Sequence, residues 1–312
     1  MKIVFFGNGT RAYSCLEFLL KNKIKILSLV STEDEVSRKP SLIDLAKKNN
    51  IEYLISNTPN DEKSLLFLNK KNPDLFILGG FSKILKEDII NIPKIFTINL
   101  HAGKLPKYRG SSPLNWALIN GESEFTISII KVDIGVDTGD ILKELTIPIS
   151  NDDDISDLHM KANIGFQKIL IDVINQINKN SYNLIPQEKD NISYYPMRFK
   201  EDGFILFDKY TAMEIHNRIR ALTKPYPCAF SFYNSKKVFF EKSELNSFPF
   251  YGESGRIYKK NKKGVLVCCS DVSLWITEAF YEDGSCAIDD LIKYEKFTTL
   301  EGEIFNLLEH FN

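Results

Sequence analysis

The chain opens on KIVFFG (2–7), a run that is apolar from Ile3 to Phe6 and closes on a glycine. Unbroken apolarity over so short a length predicts a strand buried on both faces, as in a parallel sheet. Residues 10–21 then carry helical spacing. IKILSLVST (24–32) is the next strand, and SLIDLAKKNN (41–50) is helical with Ser41 as its cap. The alternation continues through a strand at 51–56, a helix at 61–72, and strands at 73–80 and 94–101. Strands alternating with helices predict an α/β fold, a Rossmann-like, doubly wound, mostly parallel sheet.

The pattern then changes twice. FTISIIKVD (125–133) and GDILKELTIPI (139–149) read as a strand pair around the loop VDIGVDTG, and a long amphipathic helix follows within 152–178. Its apolar face is Phe166, Ile169, Leu170, Val173, Ile174 and Ile177, at i, i+3, i+4 spacing. The polar stretch NKNSYN ends that core. Beyond 203 a short helix (213–222) precedes AFSFYN, KKVFFEKSEL, GRIYKK, GVLVCCS, SLWITEAFYE and a tail around LIKYEKF. Five or six short β-rich pieces with turn residues between them predict a small β-barrel, OB-like in type. The expected organisation is a catalytic domain at 1–190, a linker at 191–205 and a β-rich domain at 206–312.

Composition narrows the function classes. Lys+Arg is 40 against 41 Asp+Glu, a net charge of −1, so no overall field exists to hold nucleic acid. The five cysteines include no CxxC pair, which speaks against a zinc knuckle or a disulfide framework and for packing roles in a reducing compartment. The apolar start is too short for a secretory signal, and no run reaches the length of a membrane span. A soluble, cytoplasmic protein without a metal centre is expected.

Three stretches carry candidate chemistry. GNGTRA (7–12) follows the first strand, and Gly7, Gly9 and Ala12 fit the G-x-G-x-x-A dinucleotide fingerprint, with Glu33 and Asp34 where a ribose-binding acid would lie. Any tight strand-to-helix turn favours glycine as well, so NAD binding is a remote alternative. In TINLHAGKLPKYRG (97–110), Asn99 and His101 end a central strand and point to one face if the strand persists. An Asn amide donates to a developing oxyanion, and a His exchanges protons with an attacking amine. From these two residues alone, a local structural role stands equally well. DIGVDTGD (133–140) sets three carboxylates in eight residues; it lacks the continuation of a calcium loop, and its bland reading is a solvated acidic turn. Its functional reading has Asp137 against His101, which the residues alone do not establish.

Order decides. Asn99-x-His101, LPKYRG (105–110), Pro113, Trp116, NGE (120–122) and DTGDI (137–141) follow one another as in the folate-dependent formyltransferases. The chain resembles the family that contains methionyl-tRNA formyltransferase, the UDP-4-amino-4-deoxyarabinose formyltransferase and the sugar-nucleotide N-formyltransferases. The resemblance extends through YYPMRFKEDGFILFD (194–208) and IHNRIRALTKPYPCAFSFYN (215–234). It implies transfer of a formyl group from N10-formyltetrahydrofolate to a primary amine. By motif position it makes Asn99, His101 and Asp137 the catalytic trio, with His101 or Asp137 taking the amine proton. It also places the folate between Gly80, Phe81, Lys83, Ile84 and Leu85 on one side and Asp133, Ile134, Gly135 and Val136 on the other. One departure stands out. Family members commonly carry Ser-Leu-Leu-Pro after the histidine, whereas this chain has Gly103 and Lys104 before Leu105-Pro106.

The acceptor is the finer question. Methionyl-tRNA formyltransferases tend to carry a basic inserted loop after the second strand and a basic C-terminal domain. Here STEDEVSRKPSLIDLA is short and mixed in charge, and residues 203–312 hold 14 Lys+Arg against 15 Asp+Glu. Phosphate-backbone binding needs clustered cations, and RIYKKNKK (256–263) is the one basic cluster. The expected acceptor is therefore a nucleotide-linked amino sugar, dTDP-4-amino-4,6-dideoxyglucose, in O-antigen (lipopolysaccharide) biosynthesis, with methionyl-tRNA as the alternative. Gly9, Thr10, Lys104, Tyr108, Arg109, Ser111 and Ser112 are expected on the acceptor side, with Tyr195, Arg198 and Lys200 toward its pyrophosphate or base. Arg109 has an equal reading as a pin for its own loop. His159, His216 and His310 read as structural or surface residues, and the β-rich domain as a scaffold or a homodimer surface.

Overall fold

The structure, a computed structural model, describes residues 1–299 together with Ile304. His310 lies outside the described residues. The chain forms two compact units. The first is built from 1–113, 124–148 and 159–196, the second from 114–123, 149–158 and the chain from 197 onward.

The first unit is the predicted doubly wound sheet. β1 (Ile3–Gly7), β2 (Ile26–Ser31), β3 (Glu52–Ile55), β4 (Leu75–Gly79) and β5 (Phe96–His101) run parallel in the order β3-β2-β1-β4-β5. The connections carry α1 (Gly9–Lys21), α2 (Leu42–Lys48), α3 (Glu62–Lys71) and α4 (Glu87–Ile90). Ser41 caps α2 by accepting from the Asp44 N–H at 3.1 Å, as predicted, and Asp61 caps α3 in the same way. β6 (Arg109–Gly110) follows, then α5 (Pro113–Ile119), whose residues from 114 belong to the second unit. β7 (Glu124–Lys131) pairs antiparallel with β5, and β8 (Ile141–Pro148) antiparallel with β7, giving seven strands among the described residues. The buried face of α6 (Ile155–Asn178) is the predicted one, from Phe166 to Ile177. β9 (Tyr194–Tyr195) lies parallel to β6.

Beneath one face of this sheet Val4, Phe6, Val30, Leu54, Phe76 and Leu78 pack with Leu68 of α3 and Ile89 and Ile90 of α4. Fully burying side chains of this size stabilises by about 1.5–3 kcal/mol each relative to exposure. Because β2 and β4 flank β1 on opposite sides, the strand order reverses between β1 and β4. Open α/β sheets bind ligands outside the carboxyl ends of their strands at such a reversal. β1 and β4 end there, and β5 ends beside β4.

In the second unit α7 (Ala212–Leu222) opens on a capping box between Thr211 and Glu214. An antiparallel sheet follows, ordered β10 (Ala229–Tyr233), β11 (Lys236–Leu245), β14 (Ser273–Phe280), β13 (Gly264–Cys268), β12 (Ile257–Asn261). Its core centres on Phe207, Phe240 and Phe297, with ring centroids 5.1–5.9 Å apart. The tail LIKYEKF, expected as a further strand, forms only an isolated bridge between Lys296 and Arg256. Tyr294 holds a left-handed backbone, φ 75°, which interrupts extended pairing at that point.

Candidate active site

Asn99 and His101 sit at the carboxyl end of β5, two residues apart on one face. The chain from Lys131 to Ile141 loops back toward them, and Asp137 adopts a left-handed backbone, φ 54°, that carries its carboxylate inward. Three groups meet that carboxylate. The Asn99 amide donates to Oδ1 at 3.2 Å, the Gly110 N–H donates to Oδ2 at 2.9 Å, and His101 Nδ1 lies 3.4 Å from Oδ2. Gly110 has φ 97°, and a Cβ on it would lie 2.3 Å from the Tyr195 carbonyl oxygen, so glycine is required where this N–H turns toward Asp137.

The second nitrogen of His101 is also engaged. Nε2 lies 2.6 Å from the Tyr108 carbonyl oxygen. A carbonyl only accepts, so the network assigns the ring proton to Nε2. Nδ1 and Asp137 Oδ2 then face each other as two acceptors unless a proton rests on one of them. The pair is thus arranged to hold a proton. His101 is 5% exposed. Burial lowers its pKa below the usual histidine value, against the opposing pull of Asp137 and the Tyr108 carbonyl, and Arg11 lowers it further.

Asn99, His101 and Asp137 line a cavity of about 390 Å³. All nine residues expected around the folate line it as well: Gly80, Phe81, Lys83, Ile84 and Leu85 after β4, and Asp133, Ile134, Gly135 and Val136 before Asp137. Ile84 and Ile134 are three-quarters exposed, 75% and 76%, and supply the cavity with apolar wall. The Asp133 side chain is spent within its own loop, accepting from the Gly135 N–H and the Thr138 hydroxyl. Among the described residues no three His, Cys, Asp or Glu side chains gather as a metal site.

The residues expected on the acceptor side divide. Ser111 and Ser112 line the cavity. Lys104 is exposed beside β5, and Tyr108 is buried and stacked on Tyr195, with centroids 4.8 Å apart. Arg109 is buried and turned inward. Its Nε and Nη2 donate to Gln187 Oε1 at 3.1 and 2.7 Å, and Nη1 donates to the Tyr194 hydroxyl at 3.0 Å. These contacts engage all three guanidinium nitrogens within the protein. Arg198 and Lys200 belong to the second unit, where the Arg198 guanidinium lies over the Trp116 ring and donates to the Asp202 carbonyl. At the start of α1 the Gly9 N–H, which the dinucleotide fingerprint would offer to a pyrophosphate, donates to Glu35 Oε1 at 2.7 Å. Glu35 is fully buried and also pairs with Arg38, while Glu33 accepts from the Asn57 amide. A carboxylate of the chain itself fills the anion position. Thr10 lies in the same first turn of α1.

Sequence reasoning missed Gly103 and Gln187. A Cβ at Gly103 would stand 2.6 Å from both His101 Nε2 and the Tyr108 carbonyl oxygen, so the bare backbone here is a condition of the His101 contact. The departure from the common motif was visible at that position, although its meaning was not. No spacing signal marks Gln187.

Comparison with known proteins gives the family. Residues 1–174 match the formyl transferase family model and 198–293 match the formyl transferase C-terminal domain. The chain belongs to the formyl transferase family. The bifunctional polymyxin resistance protein ArnA of Wigglesworthia glossinidia brevipalpis is 34% identical over 307 residues, 97% of this chain, which spans 46% of that longer protein. The methionyl-tRNA formyltransferase of Acetivibrio thermocellus is 32% identical over 289 residues, 90% of this chain and 92% of that one. Among solved structures, the N-formyltransferase of Helicobacter canadensis, in complex with folinic acid and dTDP-3-aminofucose, shares the fold. Its TM-score is 0.69 at 23% identity, over 90% of this chain and 100% of that chain. No helix among the described residues is long and apolar enough to cross a membrane.

Proposed function

We propose that this chain is a folate-dependent N-formyltransferase whose acceptor is the amine of a nucleotide-linked amino sugar, dTDP-4-amino-4,6-dideoxyglucose, in the cytoplasmic assembly of O-antigen. The observation that carries it is the convergence of Asn99, His101 and Asp137 on one cavity with a half-apolar wall. That cavity fits a folate head: Ile84, Ile134 and Val136 offer apolar surface, and the loop before Asp137 offers backbone polar groups. N10-formyltetrahydrofolate supplies the activated formyl group. The chain's own part is to position, stabilise charge and move a proton.

Asn99 has two amide hydrogens and gives one to Asp137. The second is available to an oxygen in the cavity that gains negative charge as the amine attacks. One such donor is typically worth ~3–4 kcal/mol in the transition state. Asp137 Oδ2 accepts the proton that the amine loses, His101 Nδ1, 3.4 Å away, shares it, and the pair returns it to N10 of the departing tetrahydrofolate as the bond from N10 to the formyl carbon breaks. Each ring nitrogen of His101 has a single site and spends it on a protein atom, whereas the carboxylate keeps lone pairs beyond those that Asn99 and Gly110 occupy, so the carboxylate is the member of the pair that meets the amine.

The charge of the second unit favours a sugar nucleotide over tRNA. Of its basic cluster, Lys260 is held by the Asp289 and Leu291 carbonyls, Lys263 pairs with Glu244, and Lys259 lies near the Phe248 and Phe250 rings. Methionyl-tRNA is the second reading, favoured by the relatives of that name at similar identity. A panel of dTDP- and UDP-amino sugars and methionyl-tRNA, each incubated with the folate donor and read by the mass gain of one CO, separates the two. Transfer to methionyl-tRNA without transfer to any sugar would sink the sugar reading.

A further inference from the structure

Nothing in the proposed reaction uses Gln187, yet its side-chain amide makes four hydrogen bonds around the Asp137 loop. Nε2 donates to the Asp137 and Gly139 carbonyls, both at 2.8 Å. Oε1 accepts from Arg109 Nε and Nη2. The orientation of the amide is therefore set, because a flipped amide would turn its oxygen onto two carbonyls and its NH₂ onto a guanidinium.

The fold brings Gln187 there by strand pairing. Ile185 and Ile141 exchange both backbone hydrogen bonds in an antiparallel bridge, at 2.8 and 2.9 Å. Two residues further along, Gln187 lies opposite Gly139. Arg109, whose guanidinium holds the Gln187 oxygen, immediately precedes Gly110, whose N–H grips Asp137 Oδ2. The result is a closed ring: Asp137 carboxylate, Gly110, Arg109, Gln187 and back to the Asp137 backbone. A left-handed non-glycine residue is costly and persists only where its surroundings over-determine it. Here the ring holds both its backbone and its side chain.

We propose that Gln187 is a positioning residue, which clasps the backbone of the Asp137 loop and so keeps the Asp137 carboxylate on Asn99, Gly110 and His101. The inference rests on reading this site as a formyl-transfer centre, but its test separates the two. Gln187→Glu retains an acceptor for Arg109 and replaces the donor with an oxygen facing the two carbonyls. Gln187→Met retains volume and removes all four bonds. Both are compared with wild type in melting temperature, in kcat and KM for donor and acceptor, and in the ¹⁵N titration of the His101 ring. The charged groups acting on His101 are Asp137, which raises its pKa, and Arg11, which lowers it.

In folded Gln187→Glu, kcat should fall roughly 100-fold, as for an ångström-scale misplacement of a reacting group. KM should stay near wild type, and in neutral Gln187→Met, which adds no carboxylate of its own, His101 should titrate at lower pH than in wild type as Asp137 moves off it. Should Gln187→Glu fail to fold, Gln187→Met carries the same expectations. A lowered melting temperature with kcat and the His101 titration unchanged would make the residue merely structural and overturn the proposal. If wild type transfers formyl to no amine at all, the reading of the site falls. The His101 titration then decides the clasp by itself.

Discussion

The two units each contain a cavity lined by a histidine, buried in the first and half-buried in the second, and they differ in what their polar groups do. The second unit's cavity is the larger, about 540 Å³ against about 390 Å³. His216 there meets the Ser243 hydroxyl at 2.9 Å. Arg220 spreads its guanidinium over the Ser150, Asn151 and Asp153 carbonyls and the Asn217 side chain. Lys242 pairs with Glu278. Each group ties one piece of chain to another. In the first unit three groups converge on a single carboxylate, and that carboxylate faces open volume. Convergence onto shared atoms beside free space marks the candidate chemistry, and cavity size does not.

That contrast is open to direct attack. His101→Ala and Asp137→Asn should each lower turnover by about 100-fold or more, through loss of the shared proton site. His216→Ala should leave turnover unchanged, as judged by steady-state rates on all three proteins; equal losses would erase the distinction. Gly103→Ala comes next. Its methyl meets His101 Nε2 and the Tyr108 carbonyl at 2.6 Å, and overpacking of this kind costs about 1–3 kcal/mol. Chemical denaturation should show that loss together with reduced activity.

The pH dependence of stability sharpens the same comparison. Burial pushes the His216 pKa down to about 4, helped by Arg220, from the usual 6.5. Between these values the unfolded chain holds more protons than the folded one, so stability rises with pH. The contribution is fully present above about 6.5 and is lost as pH falls toward about 4. His159, also pushed down to about 4 by burial, adds a parallel share. Replacing His216 with Asn should flatten part of this acid limb in thermal melts while turnover holds. The smallest effect is expected at Lys104, exposed in the loop after β5 and outside the cavity lining: Lys104→Ala should cost ~0.2–1 kcal/mol in kcat/KM for a charged acceptor, diminishing with added salt.

Much of the scaffold was legible because its signals are local. Continuous apolar runs marked β1, β4 and β5 as buried parallel strands, and the i, i+3, i+4 face of α6 is the face that is buried. Asn99 and His101 were readable as neighbours because strand periodicity is two. Asp137 was not readable from spacing. It lies 38 residues from Asn99, and only the loop's left-handed turn brings it inward. Gln187 depends on a two-residue register beyond an isolated bridge, and Gly103 on space around a ring nitrogen. Neither leaves a periodic trace. The dinucleotide fingerprint at Gly7 and Gly9 was weak evidence for a related reason: the group that fills its anion position, Glu35, arrives from 26 residues away.

The central claim is the choice of amine. Its most direct test is kcat/KM for formyl transfer from N10-formyltetrahydrofolate to dTDP-4-amino-4,6-dideoxyglucose, measured beside methionyl-tRNA with the same preparation and donor. A larger specificity constant for the sugar nucleotide, abolished in Asp137→Asn, is the predicted result. A larger constant for methionyl-tRNA would contradict it.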